Sequence, residues 1–164
     1  DHDMPALRMT DRDKAILIAL YEYRVLTTKQ ISHLFFGETM NDSDGQTNSR
    51  CLARLRKLFH HGYIWRDELP VKLNEGRKPL LHFIDRQAVP LVAEELGVML
   101  EEIDWKPAFN RLKPLSINHL LATNDFRIAV RLAATLQGLD LHQWIDDKSL
   151  RRQAAHDRTT LTNR

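Results

Sequence analysis

Basic side chains at helical spacing are the feature of this sequence with the clearest chemical meaning. Arg50, Arg54, Lys57 and His61 follow one another every three or four residues, so on a helix they lie along one face. Residues 48–66 contain five Lys or Arg and no acidic residue. An exposed helix face usually mixes charges, because like charges three or four residues apart repel. A face of one sign therefore predicts a polyanion as partner, and arginine can both contact DNA phosphates and pair with guanine edges.

The distribution of charge along the chain supports this interpretation. The 164 residues have a formal net charge of +2. Residues 45–86 contain 9 Lys or Arg against 4 Asp or Glu, a net of +5, whereas residues 1–44 contain 5 against 8 and residues 87–164 contain 10 against 10. Positive charge is thus concentrated around the basic face, as expected of a nucleic-acid-binding surface.

Two further groups of side chains are candidates for DNA contact. Four polar residues precede the basic face: Gln46, Thr47, Asn48 and Ser49. The free backbone amides at the start of a helix favour phosphate, so these residues are candidates for phosphate contact. Capping of the helix is an equally good role for them. Three basic residues flank the tip of a predicted hairpin: Lys72, Arg77 and Lys78. Such a hairpin can contact the DNA backbone or the minor groove. The alternative role of these residues is to increase solubility.

The sequence lacks motifs for catalysis and for metal binding. His60 and His61 are adjacent, so on a helix they point about 100° apart, and the eight histidines lack zinc-site spacing. Cys51 is the single cysteine, which excludes an intrachain disulfide and a thiolate cluster. No phosphate-binding glycine loop or nucleophile elbow occurs, and the acidic pair at 146–147 is more typical of a turn than of a nuclease. We therefore expect a protein that is not an enzyme and has no catalytic residue, metal or cofactor.

Three helices and a hairpin must position the candidate side chains. Thr10 and Thr27 each stand three residues before a residue that can complete a capping box, which predicts helices over 11–24 and from 27 to 36. A third helix over 47–61 ends at Gly62. Two β-prone runs within 63–85 predict a hairpin. This order predicts a mainly α fold with a small β-hairpin, namely a winged helix-turn-helix domain whose third helix enters the DNA groove and whose hairpin is the wing.

A long helix over 115–137 predicts a C-terminal helical extension. We expect a winged-helix domain over 8–97, a connector over 98–114, the long helix and the start of a C-terminal portion over 115–146, and a loose tail over 147–164. One apolar stripe of the helix is expected to face the domain: Ile117, Leu121, Asn124, Ile128 and Leu132. A second stripe consists of Ala122, Phe126, Ala129 and Ala133. It is a candidate homodimer surface, and the alternative is that it is buried against a further C-terminal portion.

Several segments resemble the replication-relaxation family of prokaryotic winged-helix proteins. They are residues 10–17, 23–31, 34–36, 54–58, 61–63 and 119–127, the last of which contains the more specific run Asn124-Asp125-Phe126-Arg127. The resemblance covers residues 8–145 and implies a link to plasmids, integrated elements and phages, with a role in replication or relaxation of plasmid DNA. Family members usually continue into a β-rich portion that we expect this chain to lack beyond Trp144.

Together these observations predict a protein that binds double-stranded DNA and controls replication, transfer or transcription of a plasmid or other mobile element. The alternative is a winged-helix adaptor that binds a protein partner in a replication or mobilisation complex. Because no run of 18 apolar residues occurs, we expect no membrane association and a cytoplasmic location.

Overall fold

A computed structural model of the chain describes residues 7–37, 48–68, 79–141, 143–145 and 150. The chain divides into two compact units, Asp1–Ile128 and Ala129–Arg164. In chain order the elements are α1 (Asp11–Tyr23), β1 (Leu26–Thr27), α2 (Thr28–Phe35), α3 (Ser49–His60), β2 (Ile64–Glu68), β3 (Leu80–Ile84), α4 (Ala88–Leu96), two short 3₁₀ helices (Leu100–Glu102 and Pro107–Asn110) and α5 (Pro114–Leu136). The predicted class, mainly α with a small antiparallel β portion, is confirmed. The predicted domain boundaries and the winged-helix assignment stay predictions.

Both predicted capping boxes are present. The backbone amide of Asp13 donates to the Thr10 hydroxyl at 3.3 Å, and the Thr10 amide donates to the Asp13 carboxylate at 2.7 Å. At the start of α2, the Gln30 amide donates to the Thr27 hydroxyl at 3.1 Å and the Thr27 amide donates to Gln30 Oε1 at 2.9 Å. Each box satisfies amides that have no partner within the helix, so α1 and α2 begin where the sequence predicts.

The helix α3 is shorter than predicted at its start and ends as predicted. Asn48 is the N-cap, since its Oδ1 accepts from the amides of Arg50 at 3.0 Å and Cys51 at 3.4 Å. At the other end Gly62 has φ +73°. The Gly62 amide donates to the Phe59 carbonyl and the Tyr63 amide to the Leu58 carbonyl, both at 3.0 Å. This is a Schellman ending, which favours glycine at the left-handed position.

The sheet contains one strand more than the sequence predicts. The strands are antiparallel in the order β1-β3-β2. Ile64 pairs with Ile84 and Glu68 with Leu80, which forms the predicted hairpin. On its other edge β3 pairs with β1, Leu26 opposite His82. A strand of two residues has too little alternation to be recognised from its pattern, so β1 was absent from the prediction.

The central strand β3 is buried on both faces. Leu81 and Phe83 on one face form a cluster with Val25 and with Ile117 of α5. His82 and Ile84 on the other face are buried as well, and α1 and α2 contact this strand. Burial on both faces explains why residues 80–84 lack a clean alternation of polar and apolar side chains.

Candidate nucleic-acid interface

The helix α3 has one buried and one exposed face. Its buried residues are Cys51, Leu55 and Leu58. Four exposed residues lie within about 50° of the direction opposite these three: Ser49, Ala53, Arg56 and His60. Arg50 and Lys57 are exposed beside them. We call these six residues the open face of α3: Ser49, Arg50, Ala53, Arg56, Lys57 and His60. The open face contains three Lys or Arg and no acid.

The basic stripe predicted from the sequence lies partly off this open face. Arg50 and Lys57 are exposed, whereas Arg54 and His61 are half-buried, about 90–115° from the centre of the open face. Sequence reasoning missed Arg56 and His60. Leu52 and Phe59 obscured the signal, because they are apolar like the core residues, yet Leu52 is 45% exposed and Phe59 is only half-buried. Counting them as core shifts the inferred centre of the buried face, and with it the face expected to be open.

Arg54 contacts a buried carboxylate of the protein itself. Its Nε donates to Asp13 Oδ1 at 2.5 Å, a second nitrogen donates to Asp13 Oδ2, and the same nitrogen donates to the Arg8 carbonyl at 2.7 Å. The Asp13 side chain is 0% exposed and that of Arg54 is 23% exposed. Burial alone would raise the pKa of the Asp13 carboxyl, but hydrogen bonds from Arg54 and Thr10 outweigh it and lower that pKa. Arg54 therefore connects α3 to α1, and its charge is balanced within the protein.

The other predicted contact residues are distributed differently. Asn48 caps α3, which is the alternative role considered for it, and Ser49 is exposed in the first turn of that helix. Gln46, Thr47, Lys72, Arg77 and Lys78 lie outside the described residues. The DNA contacts of all of these side chains stay predictions.

An open cleft of about 500 Å³ lies at the N-terminal end of α3. It is lined by the first turn of α1, by Phe36 after the end of α2, and by Arg50 and Arg54. The Arg12 guanidinium lies 4.9 Å from the centroid of the Phe36 ring. Arg12 and Arg50, which are both exposed, bring positive charge to this cleft, and the exposed Asp11 brings a negative one.

A second aromatic contact lies at the C-terminal end of α3. The Arg66 guanidinium, from β2, is 3.7 Å from the centroid of the Phe59 ring. The His60 ring meets the same Phe59 ring edge to face at 5.5 Å. Nearby His82 is buried, with Nε2 2.9 Å from the Thr28 hydroxyl oxygen. Burial, and secondarily the charge of Arg66, lower the pKa of His82 to about 4, so His82 is neutral at pH 7 and adds no charge to this surface.

The sequence profile of the replication-relaxation family matches residues 17–160. The chain belongs to the replication-relaxation family. No curated protein and no solved structure matches the chain. Among the residues that the structure describes, no helix is long and apolar enough to cross a membrane. The same residues contain no group of three or more His, Cys, Asp or Glu side chains that could bind a metal ion.

The run Asn124-Asp125-Phe126-Arg127, the most specific part of the resemblance to the replication-relaxation family, attaches α5 to the corner between α1 and α2. Asn124 Nδ2 donates to the carbonyls of Tyr23 at 3.2 Å and Val25 at 2.7 Å. Asp125 Oδ1 accepts from Gln30 Nε2 at 2.7 Å. The Arg127 guanidinium lies 4.0 Å from the centroid of the Tyr23 ring and pairs with Glu22 at 3.5 Å. Asn124, Asp125 and Arg127 therefore stabilise the packing of this replication-relaxation protein.

The two predicted stripes of α5 differ in exposure. Ile117, Asn124 and Ile128 of the first stripe are buried, which confirms at these positions that the stripe faces the protein. Phe126 of the second stripe is 64% exposed, and the small residues of that stripe are exposed or half-buried: Ala122, Ala129 and Ala133. The homodimer predicted for this surface stays a prediction.

Proposed function

We propose that this replication-relaxation protein is a winged-helix protein that binds duplex DNA with the open face of α3 in the major groove. The open face is the observation that carries the proposal. It combines three exposed basic side chains, Arg50, Arg56 and Lys57, with no acidic residue. Exposed charges of one sign give this face a positive potential, which attracts a polyanion, and the phosphates of the DNA backbone supply the complementary charge.

The shape of the open face supports the same proposal. Ser49 and Ala53, near its centre, are small, so the backbone of α3 can approach the floor of a groove closely. The B-DNA major groove is about 12 Å wide and admits an α-helix. Arg56 and His60 follow on the same line of the helix, where their longer side chains can reach base edges or phosphates.

The order of elements supports the winged-helix assignment. In the part of the chain that the structure describes, three helices precede the β2–β3 hairpin, and β1 between α1 and α2 completes a small sheet. In this assignment α2 and α3 form the helix-turn-helix and the hairpin is the wing. Its tip residues Lys72, Arg77 and Lys78 are expected to contact the DNA backbone.

Membership of the replication-relaxation family supports a role in DNA replication on mobile elements. We propose that the chain controls replication, transfer or transcription of a plasmid or other mobile element by occupying a DNA site. Contacts to phosphates and bases need no cofactor. The rival function, an adaptor that binds a protein partner in a replication or mobilisation complex, requires neither duplex binding nor a strong dependence on salt.

The proposal is tested by measuring duplex affinity across a series of salt concentrations by fluorescence anisotropy. For the wild-type chain, the logarithm of the binding constant is expected to fall linearly with the logarithm of the salt concentration. Arg56→Ala with Lys57→Ala should flatten that slope by about two units, one for each phosphate-binding side chain removed. The matched control removes Arg111 and Lys113, an exposed basic pair outside α3, and should retain the wild-type slope. Equal slopes in both double variants would refute the role of α3, and a wild-type chain without duplex affinity would favour the adaptor.

A further inference from the structure

Within the described residues, four arginines lie over aromatic rings, and they fall into two classes. Two of them also form ion pairs: Arg24 with Asp104 at 3.2 Å and Arg127 with Glu22 at 3.5 Å. The other two are Arg12 over Phe36 and Arg66 over Phe59, and neither has a carboxylate partner within 4.0 Å in the part of the chain that the structure describes. Arg24 and Arg127 thus connect elements of the fold, whereas the charges of Arg12 and Arg66 remain available to a ligand.

Arg12 and Arg66 lie at opposite ends of α3. Arg12 lines the cleft that Arg50 also lines, at the start of the helix, and Arg66 lies over Phe59 in the last turn. At 100° per residue, Arg54, which lines the same cleft as Arg12, lies about 115° to one side of the centre of the open face, and Phe59 lies about 105° to the other side. An α-helix nearly fills the B-DNA major groove, which is about 12 Å wide, so the two flanks of a bound helix face the two backbones. Arg12 and Arg66 therefore lie on opposite flanks of α3, each on the side of a different backbone.

We propose that Arg12 and Arg66 bind backbone phosphates of the two DNA strands that border the groove entered by α3. This inference rests on the function proposed above and assigns to it two residues outside the open face. Contact with the faces of Phe36 and Phe59 restricts both side chains, so each gives up less conformational freedom when its N–H groups bind a phosphate. Asp11 lines the same cleft as Arg12, and the positive charge of Arg50 offsets it there.

The test compares Arg12→Ala, Arg66→Ala and their combination with the exposed control Arg111→Ala. Affinity is measured for two unrelated duplex sequences across a salt series. Each single variant is expected to weaken binding to both duplexes by the same factor, roughly tenfold for one charge-assisted hydrogen-bonded pair, and to flatten the salt slope by about one unit. The combination should flatten the slope by about two units. Wild-type slopes in the single variants, or weaker binding to one duplex only, would overturn the proposal.

A further variant separates phosphate binding from a merely structural role of the stacked pairs. Arg66→Lys keeps the charge and removes the planar guanidinium with its several N–H donors, so it should bind more weakly than wild type while the salt slope stays unchanged. If Arg66→Ala and Arg66→Lys lower the melting temperature equally and leave affinity unchanged, the pair serves folding and the proposal is wrong. If the proposed function is wrong, the wild-type chain will lack duplex affinity. If only this inference is wrong, the chain will bind duplex DNA in a way that depends on Arg56 and Lys57 but not on Arg12 or Arg66.

Discussion

Asp13→Asn is expected to weaken the attachment of α3 to α1 without removing any group proposed to contact DNA. The Asp13 carboxylate is fully buried and accepts two hydrogen bonds from Arg54. Removing one partner of a buried ion pair costs about 3–5 kcal/mol, because the remaining charge is left without compensation. Two features reduce that cost here: Arg54 is 23% exposed and can reach water, and asparagine retains an oxygen that can accept the Thr10 capping hydrogen bond. We therefore expect the free energy of unfolding to fall by about 2–3 kcal/mol.

Urea unfolding followed by circular dichroism measures this decrease. The matched control is Asp11→Asn in the same helical turn, where the carboxylate is exposed and interacts with the helix dipole, so its removal should cost less than about 1 kcal/mol. Arg54→Met alone should also destabilise, because it leaves Asp13 buried as a lone charge. The variant with both changes should be destabilised by less than the sum of the two single effects. A destabilisation by Asp13→Asn no larger than that by Asp11→Asn would refute the assignment of a structural ion pair.

The same pair separates a structural Arg54 from one that contacts DNA. If Arg54 acts by holding α3 against Asp13, Arg54→Met and Asp13→Asn should both lower duplex affinity by displacing α3. Neither should change the salt slope, because the number of phosphates bound stays the same. A slope flattened by about one unit in Arg54→Met alone would restore the DNA-binding role predicted from the sequence.

Three further predictions concern pH, the attachment of α5 and self-association. The pKa of Asp13 is lowered in the folded chain, so the Asp13 carboxylate stabilises the fold at pH values above its unfolded-state pKa of about 3.9, and this stabilisation disappears as the pH falls through the lower folded-state pKa. The difference in unfolding free energy between wild type and Asp13→Asn should therefore shrink in that acid range. Asn124→Ala removes both hydrogen bonds to the α1–β1 corner and should cost about 2–3 kcal/mol, against less than about 0.5 kcal/mol for the exposed Asn118→Ala; thermal melting measures both. We predict that light scattering finds a homodimer for the wild-type chain and a folded monomer for Phe126→Asp, whereas Leu115→Asp, at another exposed apolar position of α5, should remain dimeric. A folded dimer of Phe126→Asp would contradict the predicted surface.

The parts of the fold that local sequence determines were predictable. Thr10 and Thr27 begin their helices through hydrogen bonds to residues three positions away, and Gly62 ends α3 through backbone bonds within five residues. Such signals depend on neighbours in the chain, so they can be read without knowledge of packing. In contrast, β1 exists because β3 pairs with it across more than fifty residues, and two residues contain no pattern that reveals such pairing.

The candidate site was predictable in position but not in detail. The concentration of basic residues located α3, and the buried face of that helix fixes which side is open. The partner of Arg54 is 41 residues away in α1, so the sequence could not distinguish a DNA-contacting arginine from a structural one. The role of Asn124 was equally hidden, since its acceptors lie about a hundred residues earlier. Family resemblance marked this run as specific, whereas its hydrogen bonds explain what it does in the fold.

The duplex affinity of Ala53→Glu tests most directly whether the open face of α3 binds DNA. Ala53 lies near the centre of that face and outside the buried core, so glutamate there should leave the melting temperature within about 2 °C of wild type. A carboxylate facing the backbone or base edges of DNA costs several kcal/mol, so the account predicts that affinity falls at least about a hundredfold. Ser116→Glu makes the same change in net charge at an exposed position of α5 and should retain wild-type affinity. Equal affinities of Ala53→Glu and Ser116→Glu for duplex DNA would contradict the account.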